Sequence, residues 1–407
     1  MHKGFWADMT KPIFGLSPMD GVTDAAYRYI TDQKGHPDLL VTEFVPVEGI
    51  VRGAVSLLNA FIYHPSSTPT VAQIYGSEVA AFYGASLVVA ALGFDGIDIN
   101  MGCPAKKVSR RGAGAGLIQT PDVAKQIVRE CQRAARDWAD GQTLEKAGLP
   151  PKIIRAVHEL NRQRAARKET VYDLRDRGHA ALSWSDGQNR HIGDPAQYRR
   201  HLPVTVKTRT GYDTPIASDW MKHLLEVEPV TIGLHGRTLK QMYTGEANWE
   251  EIAKAAAVVK QTETKFMGNG DVSSREDGLR KIEAYGLDGV LIGRATFGNP
   301  WIFQVEQHKS STDSELDPKQ IDGMSDNAPI DLPTTEERLE TAIQHAEAFE
   351  RLTPDLNFLS LRKHMAWYCK GFMHASEFRG QLMQVQTVAE VRRLISAQLA
   401  EHLSSAV

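Results

Sequence analysis

Residues 229–295 read PVTIGLHGRTLKQMYTGEANWEEIAKAAAVVKQTETKFMGNGDVSSREDGLRKIEAYGLDGVLIGRA. Three apolar, β-branched runs stand out: PVTIGLHG (229–236), TKFMGNGD (264–271) and GVLIGRA (289–295). Helical patterns separate them, so strand alternates with helix, which implies parallel pairing through right-handed crossovers. The runs are near-continuously apolar, as in strands buried on both faces. Outward toward the N-terminus the rhythm continues in IFGLSPM (13–19), LLVTEF (39–44), PTVAQIYG (69–76), GIDINMG (96–102) and PVTVKTR (203–209). Eight such units in roughly 250 residues is the count of an α/β (β/α)8 TIM barrel. An open doubly wound sheet is the alternative.

The rhythm breaks twice. About 70 residues lie between Cys131 and His201, where a barrel needs only a helix end and a short loop. From Gln132 to His201 there are 14 Lys/Arg against 9 Asp/Glu, including the run Arg162, Arg164, Arg167 and Lys168. This reads as a basic, helical insertion after the fourth barrel helix (132–201), either a solvated hairpin or an RNA-contacting appendage. The second break, SSTDSELDPKQIDGMSDNAPIDLP (310–333), is rich in Asp, Ser and Pro and reads as a linker. The expected division is a barrel over 1–309, the linker over 310–333 and a helical domain over 334–407. Thr334 or Thr335 can cap the first helix of that domain, with Glu337 or Arg338 in its first turn. In it, LRKHMAWYCKGF (361–372) mixes aromatic and basic residues. Such a mixture serves RNA, where bases stack and phosphates pair, or forms a bundle core with basic flanks.

The chain has 407 residues and a formal net charge of −3, which excludes a protein held to nucleic acid by bulk charge. Hydrophobic residues are 42% and charged residues 24%, excluding the disordered and collagen-like classes. No apolar run approaches the roughly 20 residues that span a bilayer. MHKGFWADMTKPIF, at the start, shows no apolar secretion segment. The three cysteines, Cys103, Cys131 and Cys369, are too few and too scattered for a disulfide framework. They fit a reducing cytoplasm, the expected location. No Walker A sequence and no His/Cys metal-ligand spacing appear, and Gly112–Gly116 lacks the G-x-G-x-x-G spacing of a dinucleotide site.

In a TIM barrel the active site lies at the C-terminal ends of the strands. Those positions carry Pro18, Met19 and Asp20; Gln73; Cys103; Lys207 and Arg209; His235 and Arg237; Asn269, Gly270 and Asp271; and Gly293 and Arg294. Glycines after the seventh and eighth strands let backbone N–H groups approach a phosphate, and Arg294 adds charge. A buried Lys207 must shift its pKa or have an anionic partner, either a reduced flavin or a carboxylate such as Asp98. Gln73 offers a donor and an acceptor. Cys103, with Lys106 and Lys107 beside it, suits an acid or nucleophile better than a packing residue, whereas Cys131 and Cys369 read as packing.

At these residues the sequence resembles the tRNA-dihydrouridine synthases. The matching segments include LSPMDGVTDAAYR (16–28), GFDGIDINMGCPAKKVSRRGAGAGL (93–117), LHGRTLKQMYTGEANW (234–249), DGVLIGRATFGNPWIF (288–303) and RKHMAWYCKGF (362–372). The resemblance implies an FMN-binding barrel and a helical tRNA-binding domain. It implies reduction of the C5–C6 bond of a uridine in tRNA, with NADPH (or NADH) as reductant, hydride to C6 and a proton from Cys103 to C5. It implies that Pro18, Met19 and Asp20 line the isoalloxazine and that Gln73 and Lys207 meet its polar edge. Asn269, Gly270, Asp271, Gly293 and Arg294 would hold the phosphate, with His235 beside the phosphate or substrate. Two features depart from the family pattern: Asp20, where a small residue is common, and the basic insertion. The competing readings are an FMN reductase of a free pyrimidine or enone, and an RNA-binding flavoprotein without turnover. Nothing in the sequence points to a membrane, a metal or an obligate protein partner.

Overall fold

The computed structural model describes residues 2–166, 199–305 and 333–405. Its strands are β1 (Ile13–Leu16), β2 (Leu40–Pro46), β3 (Thr70–Tyr75), β4 (Gly96–Met101), β5 (Val204–Arg209), β6 (Thr231–His235), β7 (Lys265–Asn269) and β8 (Gly289–Ile292). From β2 to β8 each strand pairs in parallel with the next, and β8 pairs with β1. A bridge between Gly15 and Leu39 and a 2.8 Å bond from the Leu16 N–H to the Leu39 carbonyl join β1 to the entry of β2, closing the barrel.

The helices of this part are α1 (Ala25–Gly35), α2 (Val47–Val51), α3 (Val79–Ala91), α4 (Lys106–Ser109), α5 (Pro121–Ala139), α6 (Pro151–Ala166), α7 (Ala217–Leu225), α8 (Trp249–Val259) and α9 (Arg275–Tyr285). Several start where the chain supplies an acceptor for a free helix N–H. Asp24 accepts from Tyr27, Asn248 from Glu251 and Ser274 from Asp277. Phe5 and Trp6, on the turn Gly4–Ala7, join Ile13, Val41, Val71, Val230 and Met267 in a buried cluster. Several of these stand at or just before strand starts, so the cluster seals the N-terminal end of the barrel. The opposite end is left for a site.

The expected insertion begins later than its predicted start at 132. α5 runs unbroken to Ala139, so residues 132–139 are the last turns of the fourth barrel helix. α6 follows, with Ile153 and Val157 buried in the barrel core. Arg164, from the basic run, is buried. Its guanidinium lies 4.7 Å from the Tyr63 ring centroid and donates to the Leu92 carbonyl at 2.7 Å. That charge faces the barrel, because a long side chain can lay its stem on apolar surface and spend its donors on a carbonyl. Arg167, Lys168 and the rest of 167–198 lie outside the described residues, as does all of the expected linker but Pro333.

Beyond it come α10 (Thr335–Leu352), α11 (Arg362–Tyr368), α12 (Ala375–Leu382) and α13 (Val388–Ser405). Thr334 and Glu337 form a reciprocal capping box at the start of α10. Leu339, Phe349, Met365, Leu382, Val391 and Ile395 make a second core, which also takes in Ala26 and Ile30 of α1. The segment 361–372 is the joint with the barrel. Trp367 stacks flat on Phe297, with centroids 4.0 Å apart and planes 4° apart. Lys363 donates to the Gly21 carbonyl and Lys370 to the Phe297 carbonyl. The aromatic and basic residues that suggested RNA are thus partly spent on holding the two parts together. No described helix is long and apolar enough to cross a membrane.

Candidate active site

The C-terminal ends of the strands surround a cavity of about 950 Å³. Pro18, Met19 and Asp20 line it beyond β1, and Cys103 beyond β4. Lys207 comes from β5, and His235 from β6. Asn269, Gly270 and Asp271 follow from β7, and Gly293 and Arg294 from the end of β8. Of the residues expected at the site, Gln73 alone is absent from this wall. It is fully buried, and both ends of its amide are engaged beneath the cavity.

Those engagements form a chain that ends at Cys103. Gln73 Nε2 donates to Asp98 Oδ2 at 2.6 Å, and Thr205 Oγ1 donates to Asp98 Oδ1 at 2.5 Å. Asn100 Nδ2 donates to Gln73 Oε1 at 2.9 Å. Asn100 Oδ1 accepts from the N–H groups of Gly102 (2.9 Å) and Cys103 (2.8 Å). A carboxylate can only accept, so Asp98 fixes which way Gln73 points, and Gln73 fixes Asn100. The turn carrying Cys103 is therefore held by its backbone. Burial pushes the Cys103 thiol above its ordinary value, Asp20 adds to the rise, and the Ala105 N–H and Arg209 oppose it. The thiol is protonated at neutral pH.

Lys207 and Arg209 stand two apart on β5 and so share a face. The Lys207 stem crosses Gly233, where an added Cβ would come within 2.9 Å of Cδ. Lys207 Nζ donates to Asn269 Oδ1 at 2.8 Å, and Asn269 Nδ2 donates to the Leu291 carbonyl at 2.8 Å. The partner is thus an amide oxygen; Asp98 acts only through its charge. Burial and the Arg209 charge lower the Lys207 ammonium to about 7, with Asp98 pulling the other way. A group so placed gains a proton when an anion arrives beside it.

Arginines dominate the facing wall. Arg237 is 2% exposed and forms a two-pronged pair with Asp271, Nη2 to Oδ2 at 2.6 Å and Nη1 to Oδ1 at 3.1 Å. Arg294 donates to the same carboxylate at 2.7 Å. Burial raises the Asp271 carboxyl, but its bonds from Arg237 and the Ala247 N–H outweigh this and leave it below the usual range. His235 is held well below its ordinary value by burial and by Lys207, Arg209, Arg237 and Arg294, so its imidazole is neutral. Gly270 (φ +124°) is required here: a Cβ would fall 2.6 Å from that of Ala247. On the rim, the Gly21 N–H donates to Glu43 Oε1 at 2.6 Å. Burial, with Asp24 nearby, pushes the Glu43 carboxyl up to about 7.

Asn100, Arg209, Arg237 and Tyr243 line the cavity without having been assigned a role there from sequence. Arg209 and Arg237 carried a signal, since each follows an expected site residue by two positions. Tyr243 sits in an irregular loop where no periodicity operates. Among the described residues no group of three or more His, Cys, Asp or Glu could hold a metal.

Known proteins resemble this chain over most of its length. The model of the family "Dihydrouridine synthase (Dus)" matches residues 15–138 and 196–406, leaving 139–195 unmatched. A "Probable tRNA-dihydrouridine synthase" of Staphylococcus aureus (strain COL) is 30% identical over 402 residues, covering 97% of this chain and 95% of its own. A "Probable tRNA-dihydrouridine synthase 2" of Bacillus subtilis (strain 168) is 28% identical, covering 97% and 96%. A solved structure of DHODH with ferulenol from Eimeria tenella aligns loosely, at 13% identity and TM-score 0.33 over 56% of this chain and 53% of its own. With the family model spanning most of the chain and such relatives matching nearly end to end, the chain belongs to the dihydrouridine synthase family.

Proposed function

We propose that this protein reduces the C5–C6 double bond of a uridine in tRNA to dihydrouridine, with FMN resident in the barrel mouth and NAD(P)H as reductant. Family membership supports the reaction class. The observation that carries the residue assignment is Cys103, a protonated thiol on the cavity wall whose turn is fixed by Asn100.

The residues present fit a flavin mononucleotide. The cavity, about 950 Å³, is within the range of cofactor pockets. Lys207, Arg209, Arg237 and Arg294 face it against the carboxylates of Asp20 and Asp271, an excess of positive charge suited to an anionic group. Pro18, Met19 and Asp20 would flank the ring system, and Lys207 its polar edge. Asn269, Gly270, Gly293 and Arg294 would surround the phosphate, and Asp271 would serve by fixing Arg237 and Arg294. Gln73 would act from below, through Asn100. A bound flavin supplies the hydride that adds at C6.

This chain's own part is proton and position. Cys103 holds a proton at Sγ and delivers it to C5. Its raised pKa keeps that proton in place at pH 7, and such general acid catalysis contributes roughly 10² to 10⁴ in rate. Lys207 holds a proton at Nζ beside the developing negative charge. The target base leaves its stack to enter the mouth, as in other enzymes that act on bases of folded nucleic acids.

The test is nucleoside mass spectrometry of unmodified tRNA incubated with the protein, FMN and NADPH. Uridine gains the mass of two hydrogens, and Cys103→Ala lowers the rate by roughly 10² or more. A yellow protein that oxidises NADPH yet leaves tRNA unchanged would overturn the proposal in favour of a small-substrate reductase.

A further inference from the structure

Beneath the barrel mouth lies a second, smaller chamber that the assignments above leave unused. It leaves about 20 Å³ open to the centre of a water molecule. Pro18, Lys207 and Leu291 wall both it and the large cavity, so Lys207 stands between the two. The other polar groups of its lining are Asp98 of β4, Thr205 of β5, Thr231 of β6 and Trp6 of the N-terminal turn. Each of these side chains, like Lys207, is more than nine-tenths buried.

The polar atoms of this lining are unevenly served. The Trp6 indole N–H and the Thr231 hydroxyl are buried and have no partner among the described residues. A polar group buried in that way bears its desolvation in full. Lys207 Nζ carries three hydrogens, and its described bond, to Asn269 Oδ1 at 2.8 Å, uses one. The Asp98 carboxylate has about four acceptor positions. Gln73 and Thr205 fill two of them, at 2.6 and 2.5 Å. A single water requires ~10–15 Å³ of such space and roughly two to four polar partners. Here it meets four. It accepts from Lys207 and Trp6, which only donate, and gives its two hydrogens to Asp98 and to the Thr231 oxygen.

We propose that this chamber is a binding site for one ordered water, which joins the Lys207 ammonium to the Asp98 carboxylate and is held in place by Trp6 and Thr231. Trp6 and Thr231 are thereby positioning residues for the proton on Lys207. A water oriented with its lone pair at Nζ and a hydrogen at the carboxylate favours the ammonium over the neutral amine. The other charged or titratable groups around Lys207 are Arg209 on its own strand and His235 on β6; Asn269 of β7 is neutral. The N-terminal turn therefore bears on the barrel mouth from below without lining it. That Lys207 serves a reduced flavin rests on the function proposed above; the water site stands apart from it.

The experiment has two readouts on the ligand-free protein. A high-resolution crystal structure should show one water within hydrogen-bond distance of Lys207 Nζ, the Asp98 carboxylate, Trp6 Nε1 and Thr231 Oγ1; a chamber without density refutes the site. The Lys207 titration is then followed by NMR of isotope-labelled lysine, assigned with Lys207→Met. Thr231→Val exchanges the hydroxyl for a methyl group of like size, and Trp6→Phe removes the indole N–H. Each should weaken proton binding at Lys207 by roughly three- to tenfold, up to about one pKa unit. The Val variant carries the test alone if Trp6→Phe unsettles the N-terminal turn. Met267→Leu changes the same wall at constant volume and keeps all four partners, so its titration should match wild type. If neither polar variant shifts the titration, the link to Lys207 is refuted. If Met267→Leu shifts it as far as Thr231→Val, packing rather than the water sets the proton, and the proposal falls. Neither readout uses flavin or RNA, so failure here is separate from failure of the proposed reaction.

Discussion

Replacing Asn100 with Ala should loosen the Cys103 turn without touching the thiol. Three hydrogen bonds disappear: those that Asn100 Oδ1 accepts from the Gly102 and Cys103 N–H groups, and the one that Nδ2 gives Gln73. At a net value of about 1 kcal/mol each, the loss approaches ~3 kcal/mol, and more if the freed N–H groups find no water. Referred to the turn alone, that raises its open population by roughly two orders of magnitude. Cys103 is 7% exposed, while Cys131 and Cys369 are fully buried, so alkylation of the native protein by iodoacetamide reports on Cys103. The variant should react at least about tenfold faster at pH 8, and its apparent thiol pKa should fall as burial is relieved. Asn100→Asp is the companion. It keeps the two acceptor contacts but sets a carboxylate against the Gln73 carbonyl, so it should show part of the effect. An Ala variant that alkylates at the wild-type rate and melts at the wild-type temperature would refute the view that this chain of amides holds the turn.

Two further outcomes concern pH. Lys207 has a folded pKa of about 7 against an ordinary 10.5. Its burial therefore costs stability in full below pH 7, and the cost fades as pH rises toward 10.5, where the unfolded chain also loses the proton. Lys207→Met should flatten the rise in melting temperature of the ligand-free protein between pH 7 and 10; an unchanged slope would assign that rise to other groups. His345 and His364, at the joint with the helical part, are held at about 3 by burial against an ordinary 6.5. Below pH 6.5 the unfolded chain takes up protons that the folded joint refuses, so the pair should cost about 3 kcal/mol of stability per pH unit on the way down to pH 4. His364→Phe should remove about half of that slope in acid unfolding followed by tryptophan fluorescence.

The barrel was legible because strands buried on both faces leave uninterrupted apolar runs. TKFMGNGD over 264–271 contains β7 (Lys265–Asn269), and PVTVKTR over 203–209 contains β5 (Val204–Arg209). The polar strand ends were equally readable, since a barrel has one functional face. What stayed hidden depends on direction. Gln73 looked like a cavity residue from its strand position, yet its amide is claimed by Asp98, a neighbour from another strand. Arg164 looked like part of a basic run, either solvated or facing RNA, yet helix α6 turns it onto Tyr63. Lys363 and Lys370 belong to a stretch that reads either as RNA-contacting or as the basic flank of a bundle core, and carbonyls of the barrel rim take them. In each case charge and residue type were visible in the sequence, whereas the partner was fixed only by tertiary packing.

The joint at Gly21 and Phe297 has a consequence for how such a protein can change over generations. Lys363 and Lys370 hold the rim by main-chain oxygens, which every amino acid supplies. Substitutions in the rim loops leave that attachment standing, provided the backbone path and the Phe297–Trp367 stack persist. The outward-facing surface of the C-terminal helices is therefore free to drift, while the geometry at the barrel mouth stays as it was. Selection could reshape that outer surface without rebuilding the barrel.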